Sequence, residues 1–315
     1  MFALRGIVPI INTPFDGDGA IDFASLERLL VRGIDDGIAG CIVPAVASEV
    51  SKLNRRERRD LVRATAEIAD GRIEVIAGVS SEEISETQQH IEYALSLGLR
   101  AVLCQVPQFL DGDEPGIRQH FTKVAEVGAP TLMIQDLAWS GWGLRTEFVG
   151  QLFDEIESFE AIKVEVVPAG AKYSAVLAAT GGRIHVSCGW GLGQMIEALD
   201  RGVQAFTTTA VNLPFVRVFD LYEQGHRDQA RDLFDRLAPF LIWCQQHIDI
   251  SIHFLKQYCV AAGVFATNAV REPIQAYDEI HRAYGAHLIN GIFAIENELR
   301  ARPADRGVPS TNDSA

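Results

Sequence analysis

The strongest constraint on the fold is an alternation. Short β-rich runs recur eight times along the chain, each followed by a longer stretch with helical periodicity. The runs cover residues 5–13, 38–45, 73–80, 100–107, 130–136, 159–167, 183–189 and 203–210. Helical patterns such as FASLERLLVRGIDDG and SETQQHIEYALSLG lie between them, and several end in a glycine where a helix C-cap would stand. This spacing calls for parallel strands joined by right-handed crossovers. Eight units predict an α/β fold, a (β/α)8 TIM barrel. An open doubly wound sheet is the alternative, but it would more often carry a Gly-rich phosphate loop after the first strand, and TPFDGDG is not one. Strand signals stop near residue 215. We read 1–214 as the barrel, 215–300 as a C-terminal helical extension, and the polar 301–315 as a frayed tail.

Composition narrows the function classes. A net charge of −14 without a basic stripe argues against nucleic-acid partners, and the one basic cluster, RRERR at 55–59, reads as a solvated helix face. No uncharged apolar run reaches the ~18 residues of a membrane span. The start, MFALRGIVPI, lacks the pattern of a secretory leader. Five cysteines without paired spacing suggest reduced thiols, and together these features place the chain in the cytoplasm. Cysteines and histidines form no metal-ligand spacing. His247 and His253, six apart, read as structural or exposed, so neither a metal nor a cofactor is expected.

The stretch FEAIKVEVV, residues 159–167, is the chemical anomaly. It reads as a buried strand, yet it carries Lys163 and Glu165. Alternation turns these two to the same face, about 6.5 Å apart along the backbone. Ala161 shares that face, while Ile162 and Val164 point to the outer helices. Barrel active sites lie at the C-terminal ends of the strands. An inward lysine there is disfavoured as a cation, so its pKa should fall and free amine becomes available for attack on a carbonyl carbon. A structural ion pair, or a register that turns both residues outward, explains the same letters. Other strand ends add Ala47, Ser48 and Glu49 after strand two, Gln135 and Asp136 after strand five, Ser187 after strand seven, and Thr207, Thr208 and Thr209 after strand eight. Trp139, Trp142 and Trp190 fall in mouth loops.

Taken in order, RGIVPIINTPFDGDGAID, VASEVSKLNRRER, VIAGVS, IKVE, the GWG after strand seven, LKQYCVAAG and VREP resemble the pyruvate-dependent class I aldolase and dehydratase superfamily, which includes dihydrodipicolinate synthase and N-acetylneuraminate lyase. The resemblance covers nearly the whole chain. It implies a Schiff-base lysine, Lys163, a small 2-oxo acid substrate, and a homo-oligomer, tetramer or dimer. Departures are informative. Where the synthase and lyase branches carry a proton-relaying tyrosine in strand five, this chain is read as having Ile134. The GTTGE threonines are Val46 and Ala47, its first glycine is Ala45, and the tyrosines after the strand-four proline are Gln108 and Phe109.

The 2-keto-3-deoxy-L-arabonate dehydratase branch resembles these substitutions, with Ser48-Glu49, Gln135-Asp136, Lys163-Val164-Glu165 and Ser140-Gly141 in matching places. It departs at Leu137-Ala138 and Gln108. The resemblance implies a hydro-lyase in which Lys163 and Glu165 are catalytic. Ala47, Ser48, Glu49, Gln135, Ser187 and Thr208 would contact substrate. An aldolase of the same superfamily, releasing pyruvate, is the nearest rival, and a non-catalytic sugar-acid-binding protein is another.

Overall fold

The computed structural model describes residues 2–138, 141–189 and 192–301. Its sheet has eight parallel strands: β1 (Gly6–Ile7), β2 (Gly40–Val43), β3 (Glu74–Gly78), β4 (Ala101–Gln105), β5 (Thr131–Ala138), β6 (Phe159–Val166), β7 (His185–Cys188) and β8 (Ala205–Phe206). Each is followed by a helix: α1 (Phe23–Asp36), α2 (Arg55–Ala69), α3 (Ile84–Ser96), α4 (Glu114–Ala125), α5 (Thr146–Glu155), α6 (Gly170–Ala179), α7 (Met195–Asp200) and α8 (Leu213–Glu223). The extension is α9 (Arg227–Asp235), α10 (Ala238–Cys244), α11 (Ile248–Ala261) and α12 (Glu279–Ala301). The eighth helix spans residue 214, so it completes the last β/α unit and the extension proper starts after it. No described helix is long and apolar enough to cross a membrane.

The sheet curls into a barrel because the chain beyond β1 bonds on both sides. Val8 and Ile10 donate to Phe206 and Thr208 carbonyls at 2.9 and 3.0 Å, while Ile11 donates to Ile42 and Ile42 donates to Pro9 at 3.0 and 2.9 Å. The regular ladders of β1 and β8 are only two residues each, much shorter than their apolar runs in the sequence. Beyond those ladders the runs continue toward the mouth through the individual bonds just described.

Helix starts follow local chemistry. Asp22 accepts from the Ser25 N–H at 3.1 Å to begin α1, and Asn54 and Glu57 cap α2 reciprocally at 3.0 and 2.9 Å. The basic cluster on α2 is divided. Arg55 and Arg56 face solvent, whereas Arg58 is half-buried and donates to the Ser80 and Val50 carbonyls at 2.9 and 3.1 Å. A guanidinium can satisfy two loop carbonyls at once, which a run of charged letters does not reveal.

Inside the barrel, Val8, Ile10, Ile42, Ile76, Leu103, Met133, Ala161 and Ala205 form one apolar cluster. Ile134, Ile162 and Val164 belong to the larger layer between strands and helices. Above the inner cluster one register level turns polar: Gln105, Gln135, Lys163 and Ser187 stand side by side on β4 to β7.

The extension clamps the mouth. Lys256 on α11, fully buried, reaches Glu49 at 2.5 Å and the Ala269 carbonyl at 2.8 Å, and lies 4.3 Å from the centre of the Phe15 ring. Burial pushes its ammonium down to about 8. Arg271 forks onto Glu57 at 2.6 and 2.9 Å and onto the Gly19 carbonyl at 2.7 and 3.1 Å. Replacing Lys256 by Met leaves one Glu49 oxygen buried without its cation, while Lys52 keeps the other at 3.0 Å. We expect a loss of about 3 kcal/mol in urea unfolding, largely recovered in the Lys256→Met/Glu49→Gln double variant. An unchanged midpoint in the single variant would show the clamp to be dispensable.

Candidate active site

Lys163 is held at the centre of the polar level. It is 0% exposed, with Gln135 of β5 and Ser187 of β7 in register on either side. Its Nζ forms an ion pair with Glu165 Oε1, and the Gln135 side-chain amide donates to Glu165 Oε2. The carboxylate is therefore shared between an amine and an amide, and both ends of it are fixed. A buried ion pair of this kind costs several kcal/mol per ion in desolvation, which only excellent geometry and added hydrogen bonds offset.

Strand five corrects one reading of the sequence. Ile134 does not face Lys163. It packs outward, and Gln135 is the side chain presented to the lysine. The β5–β6 register shifts between Leu132 and Met133. The extra residue is Glu160 on β6, and β5 itself alternates regularly, Met133 and Gln135 inward with Ile134 between them outward. The place of a relay hydroxyl beside the lysine is occupied by an amide.

Gly189, just beyond β7, was not singled out in the sequence, although the GWG around it was. The Glu165 side chain lies directly over its α-carbon, and a Cβ there would overlap Glu165 Cγ, Cδ and Oε1. The glycine makes room for the carboxylate.

The turn after β2 is a short 3₁₀ segment, Val46–Ser48. Two residues that sequence reasoning passed over hold it: Asn12 donates to the Ala47 carbonyl at 2.8 Å and Thr13 to the Ser48 carbonyl at 2.6 Å. Both are buried polar residues at the end of the first apolar run, a signal visible in IINT. The Ser48 hydroxyl donates to Ile11 at 2.6 Å and accepts from the Ala45 N–H at 3.0 Å, and its own N–H donates to Ala45 at 2.9 Å. Ser48 is thus fully engaged within the fold. The N–H groups of Val46 and Ala47, at the start of the turn, have no acceptor among the described residues. Glu49 faces the clamp on α11 and does not line the mouth cavity.

Asp136 lies on the opposite face of β5 from Gln135. It pairs with the fully buried Lys172 of α6 at 3.1 Å and accepts from the Leu144 N–H at 3.0 Å. Burial raises the Asp136 pKa and lowers that of Lys172. Lys172 also donates to the Trp142 and Leu144 carbonyls and stands 5.3 Å from the Trp142 ring centre. This network anchors the loop after β5. Trp142 on that loop is 40% exposed; Trp139, Ser140 and Trp190 lie outside the described residues.

Past strand eight, Thr207 donates to the Cys188 carbonyl at 2.7 Å and Thr208 to Asn212 at 2.9 Å. A cavity begins at Glu165 and Ala47, passes Thr207, Thr208 and Thr209, and ends against α10 and α11. The arrangement brings a buried amine, a carboxylate and open N–H donors to one mouth. That set can form an iminium and move a proton beside it. Substituting Gly189 by Ala displaces the Glu165 carboxylate. We expect kcat to fall by about 10²-fold, as misplacement of a reacting group by about 1 Å does, with the fold retained by circular dichroism. Wild-type kcat in this variant would show that Glu165 tolerates the added methyl.

The chain matches the dihydrodipicolinate synthetase family over residues 3–290. It is 28% identical over 298 residues to the 4-hydroxy-tetrahydrodipicolinate synthase of Xanthomonas axonopodis pv. citri, covering 93% of this chain and 96% of the relative. The 4-hydroxy-tetrahydrodipicolinate synthase structure from the methanotroph Methylacidiphilum fumariolicum SolV superposes with a TM-score of 0.86 at 22% identity, over 94% of this chain and 98% of that one. YagE, an E. coli K12 prophage protein of the dihydrodipicolinic acid synthase family solved in complex with pyruvate, superposes with a TM-score of 0.83 at 21% identity, over 92% and 98%. A family match that spans nearly the whole barrel and its extension establishes that the chain belongs to the dihydrodipicolinate synthetase family, a family of lyases.

Proposed function

We propose that the chain is a Schiff-base hydro-lyase that removes water from a 2-keto-3-deoxy sugar acid, of the 2-keto-3-deoxy-L-arabonate type. The observation that carries this reading is the placement of Glu165: its carboxylate touches the Lys163 amine and is steadied by Gln135, with no hydroxyl in the strand-five position between them. The pyruvate bound in YagE supports a 2-oxo acid as the ligand class. Ser48-Glu49, Gln135-Asp136 and Lys163-Val164-Glu165 support the dehydratase branch over the synthase named for the relatives.

The substrate carboxylate sits on the Val46 and Ala47 N–H groups, Ser48 serving to hold that turn. Glu165 takes a proton from the Lys163 ammonium, and the free amine adds to the C2 carbonyl. Glu165 returns the proton to the carbinolamine hydroxyl, which departs as water and leaves the iminium. The iminium acidifies the C3 proton; Glu165 accepts it and delivers it to the C4 hydroxyl, which departs as the second water. Adding one water back releases Lys163; a proton shift from C5 to C3 gives an enol at C5, whose hydroxyl proton moves to C4 to leave a carbonyl at C5. The net change is loss of one water, and a five-carbon acid becomes a 2-oxo acid semialdehyde. Gln135 and Ser187 flank the reacting carbons, and Thr208 stands farther along the cavity. Proton transfer of this kind supplies about 10²–10⁴ in rate. The exposed Phe109, Ile242 and Ile280 side chains support the homo-oligomer, dimer or tetramer, that the resemblance implies.

Two measurements test this reading. Borohydride with pyruvate is expected to leave a reduced adduct on Lys163, located by peptide mass; an adduct on another lysine, or none, removes the Schiff-base assignment. Glu165→Gln is expected to form that adduct more slowly but still on Lys163 at the trapping endpoint, while dehydration drops by about 10²-fold or more. Near wild-type turnover in the variant means that Glu165 is not the base. Product analysis separates the rival chemistry, since an aldolase would release pyruvate.

A further inference from the structure

We infer that Gln245, a residue of the extension, binds the terminal hydroxyl of the five-carbon acid and sets a preference for oxygen at C5. This rests on the dehydratase reading and names the contact that reading leaves open, the one at the far end of the substrate.

Gln245 closes α10, where its N–H donates to the Leu241 carbonyl at 2.9 Å. From there the side chain crosses to the loop after β7 and lies over Gly193. A Cβ on Gly193 would stand 2.6 Å from Nε2 of Gln245 and 3.3 Å from its Cδ and Oε1. Glu165 lies over Gly189 in the same manner. The two glycines are four residues apart, so at most about 14 Å of chain separates the two cradles. One short loop thus admits a carboxylate from the strands and an amide from the extension, and both side chains line the same cavity. Leu192 of that loop also lines it, with a φ of 61° that leucine rarely adopts. Backbone strain of this kind clusters at ligand clamps.

The amide suits a hydroxyl. No lysine or arginine is among the described residues that line the cavity, so a phosphate or carboxylate at the far end would lack a counter-charge. Thr207 and Thr208 donate to the Cys188 carbonyl and Asn212, and Ser251 bonds to the Cys244 thiol. Thr209, which follows them on the strand side, has a shorter side chain. A glutamine amide offers two N–H donors and a carbonyl with two lone pairs, so one seated on a loop retains capacity for a ligand. A terminal hydroxyl both donates and accepts and can use that capacity; a methyl group cannot.

Gln245 exchanges no proton with the substrate. It holds the oxygen that becomes the aldehyde carbonyl after the C4 hydroxyl has left as water. An acid ending in methyl loses the same water and stops at the unsaturated 2-oxo acid, because it has no C5 hydroxyl to convert.

The test compares dehydration of two five-carbon acids that differ only in ending as hydroxymethyl or methyl. Wild-type enzyme is expected to favour the hydroxymethyl acid in kcat/KM by about tenfold, the worth of one hydrogen bond. Gln245→Met keeps the length of the side chain and is expected to lower kcat/KM for the hydroxymethyl acid by about tenfold, and for the methyl acid by less than about twofold. Gly193→Ala displaces the amide without deleting it and is expected to narrow the ratio several-fold. Pyruvate has no far end, so its borohydride adduct on Lys163 is expected in every variant and reports an intact site. Where Gln245→Met loses that adduct, Gly193→Ala decides. Equal losses for both acids, or an unchanged ratio, overturns this inference and leaves the dehydratase reading standing. Collapse of the ratio in Thr209→Val but not in Gln245→Met does the same. No dehydration of either acid by the wild-type enzyme overturns the dehydratase reading and this inference with it.

Discussion

Three lysines of this chain are completely shielded from water, and each is answered by one buried carboxylate: Lys163 by Glu165, Lys172 by Asp136, Lys256 by Glu49. The obligation to pair a buried charge organises the mouth of the barrel. One pair forms the proposed reacting centre, the second ties the loop after β5 to α6, and the third ties the loop after β2 to the extension. The latter two brace the loops around that centre, adding to the hold of Asn12 and Thr13 on the turn after β2.

The division of labour between layers follows from the same obligation. Below the reacting level the barrel interior is apolar, with Met133, Ala161 and Leu103 filling it. Such a layer cannot hydrate Lys163 from beneath, so its charge is balanced from the side, by Glu165 and through it by Gln135. A site supported in this way is rigid on its strand side. Its opposite surface is the wall that α10 and α11 present. The strand-borne polar groups and that wall belong to different parts of the chain.

Much of this was legible in the letters, for identifiable reasons. The eightfold alternation needs only local periodicity, and the shared face of Lys163 and Glu165 needs only the pleat of one strand. Ile134 was misread although alternation from the inward Met133 already turns it outward and Gln135 inward; the relay position was placed one residue too early. The anchoring of Glu49 was hidden because its partner lies on α11, far away in sequence. Asn12, Thr13 and Gly189 were missed because their roles are contacts across the mouth: two carbonyls held, one side chain admitted. Alternation identifies which way a residue points; it does not identify what waits there.

The clamp formed by Lys256 and Arg271 has a bearing on biosynthesis. Both residues follow the entire barrel in chain order, yet both fasten loops near its beginning: Glu49, Glu57 and the Gly19 carbonyl. A nascent chain whose eight strands have already left the ribosome still lacks the fasteners for its first two loops. The amine of Lys163 precedes these fasteners in chain order, and the loops around it are fixed only when α11 and the segment after it arrive. The fastening of the first two loops is thereby delayed until the segment after the barrel has been made.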